Sequence, residues 1–131
     1  MTIIALGVED EGAAWRSFDS SVTSGLSPGT VASLHATRIA TGEGSIHVTC
    51  LGVEPRGIIG THPAPVPQMF LVTAGEGWIA GPDGERVPIA AGAGVRWEQG
   101  EVHTSGTDVG FTAIAIEGAA VELFKPAGPG D

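Results

Sequence analysis

The sequence predicts an all-β protein built as a single domain, either a sandwich or a barrel of short strands. Short stretches rich in Val, Ile and Thr alternate with turn residues at intervals of about 8–12 residues. No long amphipathic helical pattern interrupts them. The composition agrees, since 21 Gly and 9 Pro among 131 residues suit many tight turns. A chain of this length forms one domain with a core large enough to fold alone.

The elements follow from the N-terminus. A short apolar strand lies within Met1–Val8, and Trp15 and Phe18 either share one face of a helical turn or cover the open edge of the sheet. Residues 20–30 form a loop. The predicted strands are Val31–Ala40, Ser45–Val53, Gln68–Ala74, Gly77–Ala80, Arg86–Ile89, Val95–Glu98, Phe111–Glu117 and Ala120–Phe124.

Two turns are predicted from their residues. The glycines of Thr41–Gly44 indicate a hairpin between the strands on either side. Pro82-Asp83-Gly84 indicates a tight turn, because Pro presets φ and Gly tolerates a positive φ. We divide the chain into residues 1–44, an N-terminal segment with the first strands, residues 45–124, the barrel core, and residues 125–131, a disordered tail.

Charge and cysteine content exclude several classes of function. The net charge is −9 and the six basic residues are scattered singly, which argues against nucleic acid or an anionic membrane as a partner. The N-terminus lacks a basic segment and reaches Glu9-Asp10-Glu11 almost at once, so no signal peptide or membrane span is expected. A single cysteine, Cys50, is expected to be a small buried hydrophobe. These observations favour a cytoplasmic protein.

Two segments carry histidines in a recognisable pattern. The first is His62-Pro63-Ala64-Pro65-Val66-Pro67-Gln68 followed by Gly75, and the second runs from Ala91-Gly92 to His103. They resemble the two motifs of the cupin family, G-x5-H-x-H-x3,4-E-x6-G and G-x5-P-x-G-x2-H-x3-N. The resemblance covers about residues 45–118. It implies a small cupin-type β-barrel, jelly-roll-like, that holds a metal ion or small ligand inside.

The chain departs from both motifs. Ala64 stands at the second histidine and Gln68 at the glutamate of the first motif. In the second motif Glu98 replaces the proline and Thr107 the asparagine. Two of the four usual ligands therefore remain, and the glutamate has become its neutral amide.

The resemblance implies that His62, Gln68 and His103 converge on a divalent transition metal (Fe, Mn, Ni or Zn). Imidazole suits several such ions, but the amide offers no Coulomb attraction. We therefore expect weaker binding than at a full site, with open positions for a small anionic molecule. In the alternative, Gln68 hydrogen-bonds a histidine or a bound small molecule.

Other residues are assigned by alternation along strands. Alternation from Gln68 places Phe70 and Val72 on the pocket lining, and alternation from His103 places Ser105 there, while Ala64 leaves a gap. His47 fills that gap as an additional ligand if its face of the strand is inward. The opposite face (Ile46, Val48, Cys50) is as apolar and is the other candidate for the inner one. His35 is expected to be structural.

Three functions remain open. The first is a metal-assisted enzyme with oxygenase- or isomerase-type chemistry, in which Glu101 either orients His103 or is a solvated turn residue. The second is a non-enzymatic sensor or accessory protein that has lost its metal and binds a small ligand. The third is a dimerisation unit, because small cupins commonly form homodimers through sheet edges or exchanged N-terminal strands such as Met1–Val8. The sequence assigns no catalytic residue.

Overall fold

The computed structural model describes residues 1–5 and 38–124. This part of the chain forms ten strands and no helix, so it contains no helix that is long and apolar enough to cross a bilayer. The strands are β1 (Thr2–Ala5), β2 (Ala40–Thr41), β3 (His47–Val53), β4 (Ile58–Pro63), β5 (Gln68–Ala80), β6 (Arg86–Ala90), β7 (Ala93–Trp97), β8 (Val102–Gly106), β9 (Phe111–Glu117) and β10 (Glu122–Leu123). The predictions for Trp15, Phe18, His35, the loop of residues 20–30, residues 31–37 of the strand Val31–Ala40 and the tail 125–131 lie outside the described residues.

The long strand β5 joins two antiparallel sheets. Its first half pairs with β7 on one side and β9 on the other, and β1 and β3 extend that sheet at its two edges. Its second half pairs with β6 and β8, and β4 extends this second sheet beyond β8. The result is a jelly-roll of two facing sheets. Among the described strands, hydrogen bonding does not close it into a continuous barrel.

Gly75 marks the point where β5 passes from one sheet to the other. It is the last residue paired with β9, and Glu76 is the first paired with β6. Its φ is 79°, a conformation that residues with a Cβ rarely adopt. A Cβ at this position would lie 2.2 Å from the carbonyl oxygen of Gly110. The closing glycine of the first motif is therefore required by both backbone conformation and space.

Thr107, which stands where the second motif has asparagine, fastens the loop between β8 and β9. Its hydroxyl donates to the carbonyl oxygen of Glu76 at 2.6 Å and accepts from the backbone N–H groups of Val109 and Gly110. The residue is 3% exposed. A hydroxyl that both donates and accepts satisfies three backbone groups here.

The hydrophobic core lies between the two sheets. Phe70 and Phe111 meet edge to face, with ring centroids 5.7 Å apart, a favoured arrangement of aromatic pairs. The cluster consists of Ala64, Phe70, Val72, Ile79, Ile89, Val95, Trp97, Phe111 and Ala113. Most of these residues come from the inner faces of β5, β7 and β9, which is the alternation expected of facing sheets.

Several predicted elements need correction. Gln68–Ala74 and Gly77–Ala80 are one strand, because the chain continues through Gly75 without reversing. The hairpin across Thr41–Gly44 is wrong for the described residues, since Ala40–Thr41 pairs with β10 and β3 pairs with β9. Strands β4 and β8, which carry the two motif histidines, were not among the predicted elements.

Cys50 was expected to be buried and is exposed. It lies on the outer face of β3 with Val48, which is 65% exposed. The other face of β3 carries Thr49 and Leu51, which line an internal cavity. Both faces of β3 are apolar, so the sequence alone does not show which one is the inner face. The pairing of β3 with β9 determines it.

Candidate functional site: a cavity with two histidines

A cavity of about 280 Å³ lies between the two sheets. Exposed Thr49 lies at its rim. Apolar residues form much of the wall, and a few polar groups converge on it, as is typical of small-molecule sites. The lining consists of Thr49, Leu51, Ile59, His62, Gln68, Phe70, Trp97, His103, Ser105, Ala115 and Glu117.

His62 and His103 are direct partners across β4 and β8. Residues directly opposite in an antiparallel pair point to the same face of the sheet, so both imidazoles enter the cavity. Their ring centroids are 4.4 Å apart, and the rings meet edge to face at 60°. A register shift between Ile59 and His62 sets this pairing. The two motifs therefore meet at a single pair of directly opposite residues in the antiparallel pairing of β4 and β8.

Both imidazoles are held by backbone carbonyl groups. His62 Nδ1 donates to the carbonyl oxygen of Gly60 at 2.6 Å, and His103 Nδ1 donates to that of Glu101 at 2.9 Å. A carbonyl oxygen only accepts hydrogen bonds, so each Nδ1 must carry the proton. In the neutral ring this leaves a lone pair on Nε2. Each histidine thus has one anchored nitrogen and one nitrogen available to a ligand.

His103 is further fixed by Trp97. The two rings stack at a centroid distance of 4.5 Å with an angle of 9° between their planes. His103 is 5% exposed. Burial lowers its pKa, the hydrogen bond to the Glu101 carbonyl opposes that effect, and the nearby His62 adds to the lowering. The net shift is downward, which favours the neutral, ligand-binding form of the ring.

Glu117 is a site residue that the sequence analysis missed. It is the Cα partner of Gln68 across β9 and β5, and Gln68 Nε2 donates to Glu117 Oε2 at 3.0 Å. Alternation from Phe111 through Ala113 and Ala115, all three buried, would have placed Glu117 on the inner face. A glutamate at the end of a strand reads as a solvated residue, however, and its partner lies 49 positions away.

The structure brings His62, Gln68 and His103 onto one cavity lining, together with Phe70 and Ser105. Two further residues that were predicted to line the cavity, Val72 and Ala64, are not on its lining. Val72 lies on the inner face of β5, as alternation predicts, but it is 1% exposed and packs inside the hydrophobic core. Alternation along a strand shows which face a residue lies on, and not whether it reaches the cavity. Whether the three polar residues bind a metal stays a prediction.

Ala64 also lies in the core and not on the cavity wall, with 1% exposure. Its backbone N–H donates to the carbonyl oxygen of Glu101, and its own carbonyl accepts from Gly100. These two bonds join the end of the first motif to the turn of the second and direct the alanine inward, against the core. The place of the missing histidine is therefore filled by packing rather than left as a gap.

His47 lies on the inward side of β3, since Thr49 and Leu51 on the same side line the cavity. The imidazole itself is exposed and is not on the lining. His47 is the direct partner of Glu117 across β3 and β9. It therefore stands near the cavity rim and not beside His62 and His103 as an additional ligand.

Glu101 orients His103 through its backbone carbonyl and not through its carboxylate. The carboxylate instead accepts from the Met1 ammonium group at 2.6 Å and from the Glu98 backbone N–H at 2.9 Å. Burial raises the pKa of Glu101, but these two hydrogen bonds, together with the positive charge of the Met1 ammonium group and the nearby His103, lower it overall. The Glu101 side chain is 13% exposed, and its carboxylate hydrogen-bonds to Met1 and Glu98 and not to the His103 imidazole.

The described residues contain no group of three or more His, Cys, Asp or Glu side chains that could hold a metal ion. Any ion at His62 and His103 would need further ligands from Gln68, water or a bound molecule. This donor set is compatible with an ion that keeps open positions, because two imidazoles and an amide oxygen suit first-row divalent metals.

Comparison with known proteins gives the fold. No family model matches the chain. A search of curated proteins also finds no match. The structure resembles a double-stranded β-helix protein from Klebsiella pneumoniae, with TM-score 0.53 and 19% identity over 66% of this chain and 81% of that one. It also resembles a cupin superfamily protein from Desulfitobacterium hafniense, with TM-score 0.52 and 10% identity over 61% and 76%.

A third similar structure is a DMSP lyase from Ruegeria pomeroyi, with TM-score 0.53 and 21% identity, covering 65% of this chain and 46% of that one. These likenesses concern the fold. They agree with two facing antiparallel sheets joined by β5. The chain has the cupin fold, which confirms what the motifs predicted.

Proposed function

We propose that this cupin binds a divalent transition-metal ion and a small molecule in the cavity at His62 and His103. The observation that carries the proposal is the anchoring of both Nδ1 atoms to backbone carbonyls. Metal-binding histidines almost always donate their other ring N–H in this way, which fixes the tautomer and orients the ring. The lone pairs on the two Nε2 atoms are the candidate ligands.

Gln68 is the third candidate ligand. Its Nε2 is engaged by Glu117, which leaves its carbonyl oxygen, Oε1, as the atom suited to a metal. An ion held by neutral groups keeps its whole charge and would attract an anionic group of a small molecule. When bound, such an ion supplies Lewis-acid chemistry, and oxygenase- or isomerase-type reactions are the enzymatic form of the proposal.

Trp97 and the apolar side chains of the cavity orient the ligands and limit the access of water. Trp97 holds the His103 ring by stacking, and burial lowers the pKa of His103, which favours the neutral ring. Leu51, Ile59 and Phe70 line the wall, where they exclude water and strengthen polar contacts inside. These contributions do not depend on which metal or molecule enters.

A metal-free binding protein is the second candidate function. It is favoured by the finding that the described residues offer no group of three ionisable ligands. In this case the two Nε2 atoms accept hydrogen bonds from hydroxyl or N–H groups of the bound molecule, and the protein acts as a sensor or accessory subunit. Homodimerisation and a cytoplasmic location stay predictions under either function.

Metal content separates the two candidates. Protein without an affinity tag is purified without chelator, soaked with Fe(II), Mn(II), Ni(II) or Zn(II), and measured by mass spectrometry. About one equivalent is expected for one site with neutral imidazole ligands, together with its loss in His103→Ala. His47→Ala, which removes an exposed histidine outside the lining, is the matched control and should keep the metal. Absence of metal in all three proteins would contradict metal binding and favour the second function.

A further inference from the structure

We infer that Glu117 recognises the bound molecule, and that this molecule carries a cationic, hydrogen-bond-donating group such as an ammonium. The inference rests on the proposed function, because it names the chemistry of the small molecule that the same cavity binds. It adds a recognition residue from β9 to a site that the two motifs place on β4, β5 and β8.

The position of Glu117 makes it part of the site. It follows Phe111, Ala113 and Ala115 on the inner face of β9, and it lies on the cavity lining at the end of the strand. Its neighbours across the ladder are Gln68 on β5 and His47 on β3. The carboxylate is half-buried, so it is partly withdrawn from water but open to a molecule in the cavity.

The carboxylate lacks a compensating charge in the described part of the chain. Its one hydrogen bond there comes from the neutral amide of Gln68, whereas a carboxylate has about four acceptor sites. The ion pairs between two described residues join Met1 to Glu101 and Arg96 to Glu98 and Glu122, and none includes Glu117. The described lining contains no Lys or Arg. A cation in the cavity would supply the missing partner, since a charge withdrawn from water is costly unless paired.

The cavity therefore has two chemically different sides. Glu117, Gln68 and Trp97 are successive partners across β9, β5 and β7, so Glu117 and Trp97 are two strand spacings apart, roughly 10 Å between backbones. The ring of Trp97 stacks on His103. Acceptor nitrogens thus lie on one side and a carboxylate on the other. A short molecule with a cationic end and a second polar end matches this arrangement.

The test uses four probes with the same carbon chain: butylammonium, γ-aminobutyrate, butyrate and butanol. Dissociation constants are measured by NMR titration, with the imidazole signals of His62 and His103 and the indole signal of Trp97 as reporters. The proteins are the wild type, Glu117→Gln, which keeps the shape of the side chain, and Glu85→Gln. Glu85 is exposed in the turn between β5 and β6 and serves as the matched charge control.

Butylammonium should bind the wild type about 5-fold or more tightly than butanol does, as expected for a charge-assisted hydrogen bond, and γ-aminobutyrate should exceed butyrate likewise. Glu117→Gln should lose both preferences while still binding butanol, which shows that its cavity is intact. Glu85→Gln should keep them. Absence of the preferences in wild type, or their survival in Glu117→Gln, would overturn the inference.

The two proposals fail separately. Loss of the ammonium preference in Glu117→Gln, in a protein that takes up no metal, supports the role of Glu117 and overturns only the metal. Metal uptake that depends on His103, combined with no effect of Glu117→Gln on any probe, keeps the proposed function and overturns the inference. If no probe perturbs the three reporter signals of the wild type, the cavity does not bind such molecules and the role of Glu117 is overturned as well.

Discussion

Gln68 and Glu117 face each other across β5 and β9, and the Gln68 amide donates to the Glu117 carboxylate at 3.0 Å. Gln68 stands where the cupin motif has a glutamate, so the site loses a carboxylate at that position. The cavity nevertheless contains one, because Glu117 enters from the neighbouring strand. The negative charge lies one strand away from its place in the motif, and it is bonded to the residue that replaced it.

This pairing predicts opposite effects for Gln68→Glu on the metal-free and metal-loaded protein. The variant places two carboxylates in contact, and like charges directly opposite in a sheet are destabilising, so the metal-free protein should unfold at a lower temperature. It also restores a charged ligand, so affinity for Mn(II) or Zn(II) should rise about 10-fold, or about 1.4 kcal/mol. Thermal unfolding and metal titration measure the two effects.

The control for this prediction is Gln99→Glu. Gln99 is exposed in the turn before β8, and the change adds the same charge outside the cavity. It should leave both the unfolding temperature and the metal affinity close to those of the wild type. Equal behaviour of Gln68→Glu and Gln99→Glu would contradict a site at Gln68.

The lowered pKa of His103 predicts an acid-dependent loss of stability. Burial is the main cause of the lowering, so the unfolded chain takes up this proton at a higher pH than the folded protein does. The stability is complete above the ordinary histidine value of about 6.5 and falls as the pH drops from there toward the folded-state pKa. Urea unfolding of the wild type should therefore give a smaller free energy at about pH 5.5 than at about pH 7.5.

The variant His103→Asn separates this contribution from those of the other histidines. It keeps a polar side chain but cannot titrate, so the loss between the two pH values should be smaller than in the wild type. His47→Asn, on the exposed rim, should retain the wild-type loss. An identical pH dependence in all three proteins would show that His103 does not govern it.

The sequence predicted the fold and the histidines because both are expressed in local patterns. The turn residues and strand alternation gave the all-β class, and the spacing from His62 to Gly75 and from Gly92 to His103 gave the cupin fold. The glycine at position 75 could be predicted from the motif alone, because a positive φ and the lack of a Cβ are properties of this one residue.

The rest depends on register between distant strands, which no local pattern records. Alternation can place Glu117 on the inner face of β9, but its pairing with Gln68 is needed to bring it to the site. The contact of Trp97 with His103 likewise depends on how distant strands pack. Ala64 was expected to leave a gap, but its hydrogen bonds to the turn at Gly100 and Glu101 place it in the core. Alternation also does not show whether an inward-facing residue lies at the cavity or in the core, which is why Val72 was assigned to the cavity lining.

The passage of β5 between the sheets predicts that Gly75→Ala is strongly destabilising. The substitution forces a Cβ into a positive φ and against the carbonyl oxygen of Gly110. Gly84→Ala is the matched control, because Gly84 has φ 76° but open space around its Cβ position. Gly84→Ala should cost about 1 kcal/mol for the backbone alone, and Gly75→Ala at least about 2 kcal/mol more. Urea unfolding that gave equal losses would contradict the close approach at Gly75.

The turn that leads into β4 predicts a stabilising substitution. Gly57 N–H donates to the carbonyl oxygen of Glu54 at 2.8 Å, with Pro55 and Arg56 between them. Arg56 has φ 68° and is the one non-glycine residue with a positive φ among the described residues. A type II turn needs a positive φ at its third position, after a favoured proline, and glycine suits that position best. Arg56 also stands six residues before His62, where the first motif has glycine.

Arg56→Gly should therefore raise the free energy of unfolding. In this conformation a residue with a Cβ destabilises the folded protein by about 1–2 kcal/mol. Glycine avoids that strain, but its greater freedom in the unfolded chain offsets about 0.5–1 kcal/mol of the gain. The expected net gain is about 0.5–1 kcal/mol by urea unfolding. Arg56→Ala is the control, because it removes the exposed side chain and keeps the Cβ, and it should show no such gain. A glycine variant no more stable than the alanine variant would show that the turn carries no strain at Arg56, and that the arginine is as well suited to the entry of β4 as the glycine of the motif.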